Sequence, residues 1–397
     1  MSVQDSSGEG PAAVPFYNDP RVRSVAYQVI LCVAIGLVVY GATVNAIDHL
    51  HRAHIASGFG FWDNTAGFDI SQTLIAYSAD ASTYGRAFWV GLLNTLLVAG
   101  IGIFFATVIG FTVGIARLSS NWLVARTASG YVETLRNIPL LLQLLFWYNA
   151  VLKALPIVRQ SFKFPGGIYL NNRGLIIPQP VLQPDFDWVT GAFVVGIAAS
   201  IGFYIWARKR QMRTGQQAPT FWVSSALIVG LPAILAALLG WPVEFLLPKP
   251  GRFNIIGGVS VQPEFLALLF GLSLYTAAFI AEVVRAGILA VSRGQTEAAF
   301  SLGLKPGLTL RLIVVPQAMR VIIPPLTNQY LNLIKNSSLA VAIGYPDLVQ
   351  VFAGTVLNQT GQAVEVIAIT MAVYLFISLV TSLGMNIYNR RMALVER

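Results

Sequence analysis

Glu297-Ala298-Ala299-Phe300-Ser301-Leu302-Gly303, followed by Arg311-Leu312-Ile313-Val314-Val315-Pro316, lies in a polar gap between two long apolar segments. The gap is too short to be a domain. Ser292 and Gln295 have capping-box spacing, which predicts a helix starting near Ser292. Helix formers run on from Gln295 to Leu302. Gly303 is a natural C-terminal stop, and Pro306 is expected not to continue the helix. A second short helix is predicted from about Leu308 to Val315, broken by Pro316. The expected product is a helix-turn-helix elbow on one face of a membrane. Ala298, Ala299 and Gly303 are small, so another protein could approach the elbow's backbone closely.

Working outward, composition sets the class. Hydrophobic residues make up 55% of the 397 and charged residues only 11%, with a mean hydropathy of +0.67. A soluble globular chain carries about 25% charged residues. The chain therefore reads as a multi-spanning membrane protein, and its net charge of +9 points to lipid-facing loops and not to nucleic acid. A single cysteine, Cys32, excludes an internal disulfide and a cysteine-based metal site. His49, His51 and His54 cluster after the first apolar segment and read as a headgroup-level loop, with a metal site as the alternative. No lysine follows a glycine, so the phosphate loop that binds ATP is absent. No His-Glu-x-x-His or Gly-x-Ser-x-Gly pattern points to an enzyme.

Crossing the hydrocarbon core takes about 20 apolar residues. Eight stretches qualify, at about 25–47, 88–116, 131–151, 191–206, 221–239, 265–291, 321–343 and 364–388. Residues 1–24 read as a polar tail, and 25–86 as the first span with its loop. With the N-terminus inside, Lys and Arg accumulate on the inner segments, most densely at Arg208-Lys209-Arg210 and Arg213. Both termini, including 390–397, and the Glu297 elbow then fall on the cytoplasmic side. Residues 154–263 read as an insertion. Ile168-Tyr169-Leu170, Asn171-Asn172-Arg173-Gly174 and Leu175-Ile176-Ile177 predict strand, turn and strand. Phe253 to Val261 predicts a second hairpin turning at Gly257-Gly258. Irregular loop is the alternative for both.

The blocks carry a family resemblance. Glu297-Ala298-Ala299, three residues, Gly303, nine residues, then Ile313 and Pro316 resembles the cytoplasmic loop of ABC-type importer membrane subunits. Val315 stands where that family usually has Leu. Gly91-Leu92-Leu93-Asn94-Thr95-Leu96, the block Tyr131 to Gln143, Ala281 to Ile288 and Lys335-Asn336-Ser337-Ser338-Leu339 are similar to blocks of the polar amino-acid permeases. With its insertion and the tail Phe16 to Pro20, the chain is similar to the larger permease subunits of the general L-amino-acid importers of proteobacteria.

The resemblance implies an all-α polytopic protein of the bacterial inner membrane with about eight transmembrane helices. A five-helix core (87–153 and 264–389, within 87–389) would carry two extra helices and small extracytoplasmic hairpins as the insertion. It implies coupling through Gly294, Glu297, Ala298, Ala299, Gly303 and Pro316 to an ABC ATPase, expected in two copies. ATP and Mg would sit on that ATPase, with no cofactor in this chain. It further implies a second permease subunit, a periplasmic amino-acid-binding protein and an L-amino-acid substrate.

Charged groups at mid-membrane cost roughly 2.5 to 3.5 kcal/mol on insertion scales. Glu282 and Arg285 are three apart and can pair on one helix face. Lys335 has no acid within a helical turn, and Asn336, Ser337 and Ser338 make its surroundings polar. These six residues are the candidate pathway, with helix locking as the structural alternative. Arg136 reads as an interfacial snorkelling residue. Two rival classes stay open: an ion-gradient-driven transporter, which would favour inverted repeats, and a non-transporting scaffold.

Overall fold

The computed structural model describes residues 20–52, 58–251 and 254–392. The expected tail up to residue 19, His54 and the last residues 393–397 lie outside the described residues, as do the side chains of His49 and His51. Among the described residues, seven helical stretches are long and apolar enough to cross a membrane: Arg23–Asn45, Tyr84–Ala116, Phe186–Thr214, Thr220–Leu238, Pro263–Leu289, Pro306–Ile343 and Ala363–Arg390. An eighth apolar helix, Leu140–Leu152, is shorter.

That short helix corrects the expected third span. α1 (Pro20–Arg52) and α2 (Tyr84–Ala116) are each one helix, but α3 (Trp122–Asn137) stops at Ile138, whose ψ of 127° is extended. Pro139 follows and forces that conformation on the residue before it. α4 (Leu140–Leu145) then starts afresh and runs into a wider turn, Phe146–Leu152. The fourth span is longer than expected. α5 (Phe186–Thr214) continues through the basic run, because Arg, Lys, Gln and Met are good helix formers, and ends only at Gly215.

α6 (Thr220–Ser225) and α7 (Leu231–Leu238) are joined by wider turns and return antiparallel to α5. The strands around this helical pair form two rungs. β1 (Phe162–Phe164), β2 (Ile168–Asn171) and β3 (Gly174–Ile177) follow one another in an antiparallel sheet, with the expected turn at Asn171↔Gly174. β4 (Gln179–Leu182) pairs with β5 (Val243–Leu246), closing the helical pair off. The second expected hairpin does not form. β6 (Lys249–Pro250) pairs with β7 (Ile255–Ile256), whereas β8 (Val259–Val261) crosses to β3. Gly257 and Gly258, at φ 79° and 77°, carry the chain from one sheet into the other.

α8 (Pro263–Leu289) is the centre of the bundle, and α2, α3 and α4 all pack against it. Its tightest neighbour is α2, which presents Gly102, Ala106, Gly110 and Gly114 at four-residue spacing, all buried. A Cβ on Gly110 would lie 2.6 Å from Cβ of Ile280, and one on Gly114 would lie 2.8 Å from the Ala281 carbonyl oxygen. Small residues at this spacing let two helices in lipid touch backbone to backbone. α9 (Arg293–Ser301) and α10 (Pro306–Thr309) follow, then α11 (Val315–Asn336), α12 (Leu357–Thr360) and α13 (Ala363–Met392). Because α8 runs from β8 to α9, the strands and the elbow lie at opposite ends of the bundle, about 40 Å apart at 1.5 Å per helical residue.

At the strand end, a buried polar node ties α2 to the segment after α11. Asn94 Nδ2 donates to the Pro346 carbonyl at 2.9 Å and to the Gln72 carbonyl at 2.8 Å. Thr95 Oγ1 accepts from the Leu348 amide at 2.9 Å, and Tyr345 Oη donates to the Asn94 carbonyl at 3.1 Å. Asp347 is fully buried and accepts from the Gln350 amide at 2.8 Å and from Tyr374 Oη at 3.3 Å. Burial pushes the Asp347 carboxyl up from 3.8 to about 7, against hydrogen bonds that favour its charged form.

Two expectations follow. Gly110→Ala should destabilise the purified protein by about 1–3 kcal/mol through overpacking. Gly100→Ala, where nothing lies within 4 Å, should change the melting temperature little. Equal melting temperatures for the two would refute the close α2–α8 contact. For Asp347 the folded-state pKa is the higher one. Its contribution to stability is therefore present below about 4 and lost as pH rises through about 7. Thermal melts from about pH 5 to about pH 9 should show wild-type stability falling more steeply than Asp347→Asn.

Candidate functional site

α9 begins at the expected place. Ser292 is its N-cap, but the Ser292 hydroxyl caps nothing. The Gln295 amide instead donates to the Ser292 carbonyl at 3.0 Å. The stop is where the sequence puts it: Gly303 has φ 75°, a conformation glycine adopts without steric cost. The amides of Gly303 and Leu304 close the turn onto the Phe300 and Ala299 carbonyls at 2.9 and 3.1 Å.

The second arm differs from expectation. Pro316 does not break it. α10 passes through a wider turn at Leu310–Val314 directly into α11, and the helical stretch continues to Ile343. Pro316 lies in the first turn of α11, where the wide turn has already shifted the backbone hydrogen-bond register. The two arms touch through Gln317 Nε2 and Gln295 Oε1 at 3.3 Å.

The elbow's surface is divided. Ala299 is buried between the elbow's two arms, while Gly294, Glu297, Ala298 and Gly303 are exposed and Pro316 is half-buried. Phe300, Leu302, Leu308, Leu310 and Leu312 are also exposed. Beside them stand Arg293, Lys305 and Arg311. A polar connection that exposes this many large apolar side chains is built to be covered.

Just above the elbow, one carboxylate gathers three arginines. Arg285 donates from Nη2 to Glu282 Oε1 at 2.7 Å and from Nε at 3.2 Å, the local pair that the spacing predicts. Arg117, at the end of α2, donates to Glu282 Oε2. Arg136, in the last turn of α3, stands 3.8 Å from the same oxygen. It also lies 5.1 Å from the centre of the Phe279 ring. Arg136 is thus part of an ion-pair cluster, where snorkelling alone was expected. No spacing signal links 117, 136 and 282; only the packing of α2 and α3 on α8 brings them together.

Lys335, Asn336, Ser337 and Ser338 lie elsewhere. α11 carries them about 30 Å away from the elbow along its axis. Lys335 is exposed, and among the described residues no acid comes within ion-pair distance of it. Ser337 is buried and donates to the Ile334 carbonyl at 2.8 Å, and Ser338 donates to the Lys335 carbonyl at 2.7 Å. The structure therefore joins Glu282 with Arg285 and keeps both apart from the 335–338 group. No cluster of His, Cys, Asp and Glu among the described residues could hold a metal ion.

A bundle of apolar helices whose one helical elbow faces outward with apolar side chains is a multi-pass membrane subunit of a larger assembly. The chain belongs to the family of binding-protein-dependent transport system inner membrane components, whose model matches residues 102–394. It is 54% identical over 379 residues to the general L-amino acid transport system permease protein AapQ of Rhizobium johnstonii, covering 96% of this chain and 94% of that protein. It is 52% identical over 397 residues, all of both chains, to the putative amino-acid ABC transporter permease protein YhdX of Escherichia coli. It is 41% identical over 410 residues, 96% of both chains, to the glutamate/glutamine/aspartate/asparagine transport system permease protein BztB of Rhodobacter capsulatus.

Glu282→Gln should cost more stability than a change of any one of the three arginines, about 1–3 kcal/mol, because it leaves three cations without their shared anion. Arg136→Met, at the longest distance, should cost least. A larger loss for Arg136→Met than for Glu282→Gln in thermal melts would refute this hierarchy.

Proposed function

We propose that this chain is a membrane-spanning permease subunit of an ATP-driven, binding-protein-dependent importer of L-amino acids. The observation that carries the reading is the elbow: small and exposed at Ala298 and Gly303, acidic at Glu297, and flanked by uncovered Phe300 and Leu302. Such a surface suits a separate ATPase, which would hold ATP and Mg and perform the hydrolysis. This chain would be a transport subunit without an enzymatic centre of its own. The amino-acid substrate rests on the printed names of the relatives. The elbow and both termini belong in the cytoplasm on this reading, because Arg208, Lys209, Arg210 and Arg213 share the elbow's side.

The other partners follow from the same reading. A second permease subunit completes the pathway, and an extracytoplasmic binding protein delivers substrate at the strand end. Closure of the ATPases pushes the elbow. α8 and α11, both continuous with it, carry the motion into the bundle and open the pathway to alternate sides. A zwitterion in transit needs partners for both its charges. Glu282 and Arg285 at one depth, and Lys335 with Asn336 and Ser338 at another, supply polar groups on this chain. Ser337 serves packing, since its hydroxyl is buried and taken.

Gly303→Val forces a branched side chain into a left-handed turn, and Glu297→Lys reverses a charge at the contact. Each should lower binding-protein-stimulated ATP hydrolysis in proteoliposomes by roughly tenfold, the equivalent of about 1.4 kcal/mol, while membrane insertion is kept. Wild-type hydrolysis by both variants would exclude the elbow as the coupling site.

A further inference from the structure

α5 ends in a run without a single acid. Between Asp187 and Glu244 the chain has no Asp or Glu, yet it carries Arg208, Lys209, Arg210 and Arg213. All four lie on the last two turns of α5. Gly215, at φ 71°, ends the helix, and the chain turns back into α6 at Thr220. Among the described residues, no carboxylate comes within ion-pair distance of any of the four. Arg210 is engaged locally: it lies 5.4 Å from the centre of the Trp206 ring and donates to Gln216 Oε1 at 3.1 Å. Arg208, Lys209 and Arg213 are exposed.

Two hollows meet at Arg208. One, of about 800 Å³, opens between α5 and the turn and is lined by Tyr204, Arg208, Gln211, Gln217 and Thr220. The other, of about 410 Å³, lies on the opposite flank of Arg208 along Ile205, Lys209, Met212 and Arg213. The first offers hydrogen-bonding side chains. The second offers an apolar floor, Ile205 and Met212, edged by cations. Trp206 on α5 and Phe221 and Trp222 on α6 are exposed at this end of the helical pair, as aromatic residues are at a membrane–water boundary.

A free anion would need only the polar hollow. An apolar groove sharing the same arginine matches an anion that carries an acyl chain. We propose that the turn between α5 and α6 binds one anionic phospholipid of the bilayer. Its phosphate sits on Arg208, with Lys209 and Arg213 beside it. Gln211, Gln217 and Thr220 meet the headgroup oxygens, Met212 covers the glycerol region, and one acyl chain follows Ile205 and Tyr204 toward the bilayer interior. Guanidinium groups suit phosphate because their planar fork of donors matches two of its oxygens at once. The bound lipid would pin the helical pair of the insertion to its leaflet.

The test uses the assembled transporter, reconstituted with phosphatidylglycerol or phosphatidylcholine, stripped of bulk lipid and weighed by native mass spectrometry. The wild type should retain phosphatidylglycerol in preference to phosphatidylcholine, and excess inorganic phosphate should not displace it. Arg208→Gln with Arg213→Gln should reduce that preference roughly twenty-five-fold, about fivefold for each cation removed near an anionic surface. Arg126→Gln, an exposed arginine on α3 at the same end of the bundle, should leave it unchanged. Equal retention of the two lipids by the wild type would overturn the proposal, and so would unchanged preference in the double variant. Displacement by inorganic phosphate would identify a free-anion site instead. Loss of the ATPase from the double variant with lipid retention intact would identify a protein-contact surface instead.

Discussion

Inside a bilayer, burying apolar surface gives helices no reason to associate, because lipid tails are as apolar as leucine. Close contact has to come from backbones that can touch. In the row of small residues on α2, Gly110 and Gly114 meet that requirement against Ile280, Ala281 and Val284 of α8, while Gly102 faces Leu333 of α11 and Ser273 of α8. Most of the remaining architecture hangs on this contact. It makes α8 the axis around which α3, α4 and α11 pack. It also brings Arg117, at the end of α2, onto Glu282.

The two ends of α8 then differ in kind. At the strand end, the node of Asn94, Thr95, Tyr345 and Asp347 is buried and tied together by hydrogen bonds of 2.8 to 3.1 Å. Residues 58–83 fold over the same end: Phe61 is buried against Phe88 and Phe352, and the Gly58 amide donates to Glu365. At the elbow end, α9 packs chiefly on the elbow's second arm, and Phe300 and Leu302 are exposed. A rigid end opposite a sparsely attached end is what a helix needs if a push at one end is to become a tilt rather than local unfolding. The arginine-ringed Glu282 sits between the two. It joins α2, α3 and α8 through one carboxylate.

The insertion is held by a different device. β3 with β8 and β4 with β5 form nested rungs that bring the two ends of the helical pair together before the chain rejoins α8. α5 and its returning partner therefore pack chiefly on each other. Their outer surfaces, from Trp188 to Trp222, are left to lipid or to neighbouring subunits.

The sequence alone was enough for whatever is written in adjacent residues. Apolar runs of the right length marked the spans. The motif from Glu297 to Pro316 marked the elbow, Gly303 its turn, and Asn171 to Gly174 the first hairpin, since a helix stop and a tight turn depend on local backbone preference. Local reading went wrong at Pro316, at Gly257-Gly258 and at Ile138. Pro316 stays within a helical stretch because a wide turn precedes it. The strands beside Gly257 and Gly258 pair outward with Lys249–Pro250 and with β3, and not with each other. The third span breaks at Ile138 because Pro139 could not sit in an unbroken helix there. The joining of Arg117, Arg136 and Glu282, the burial of Asp347 and the two hollows at Arg208 were decided only by tertiary structure. Their members lie on separate helices or across a turn, and a charge shows its partner only once packing has excluded water and lipid from between them.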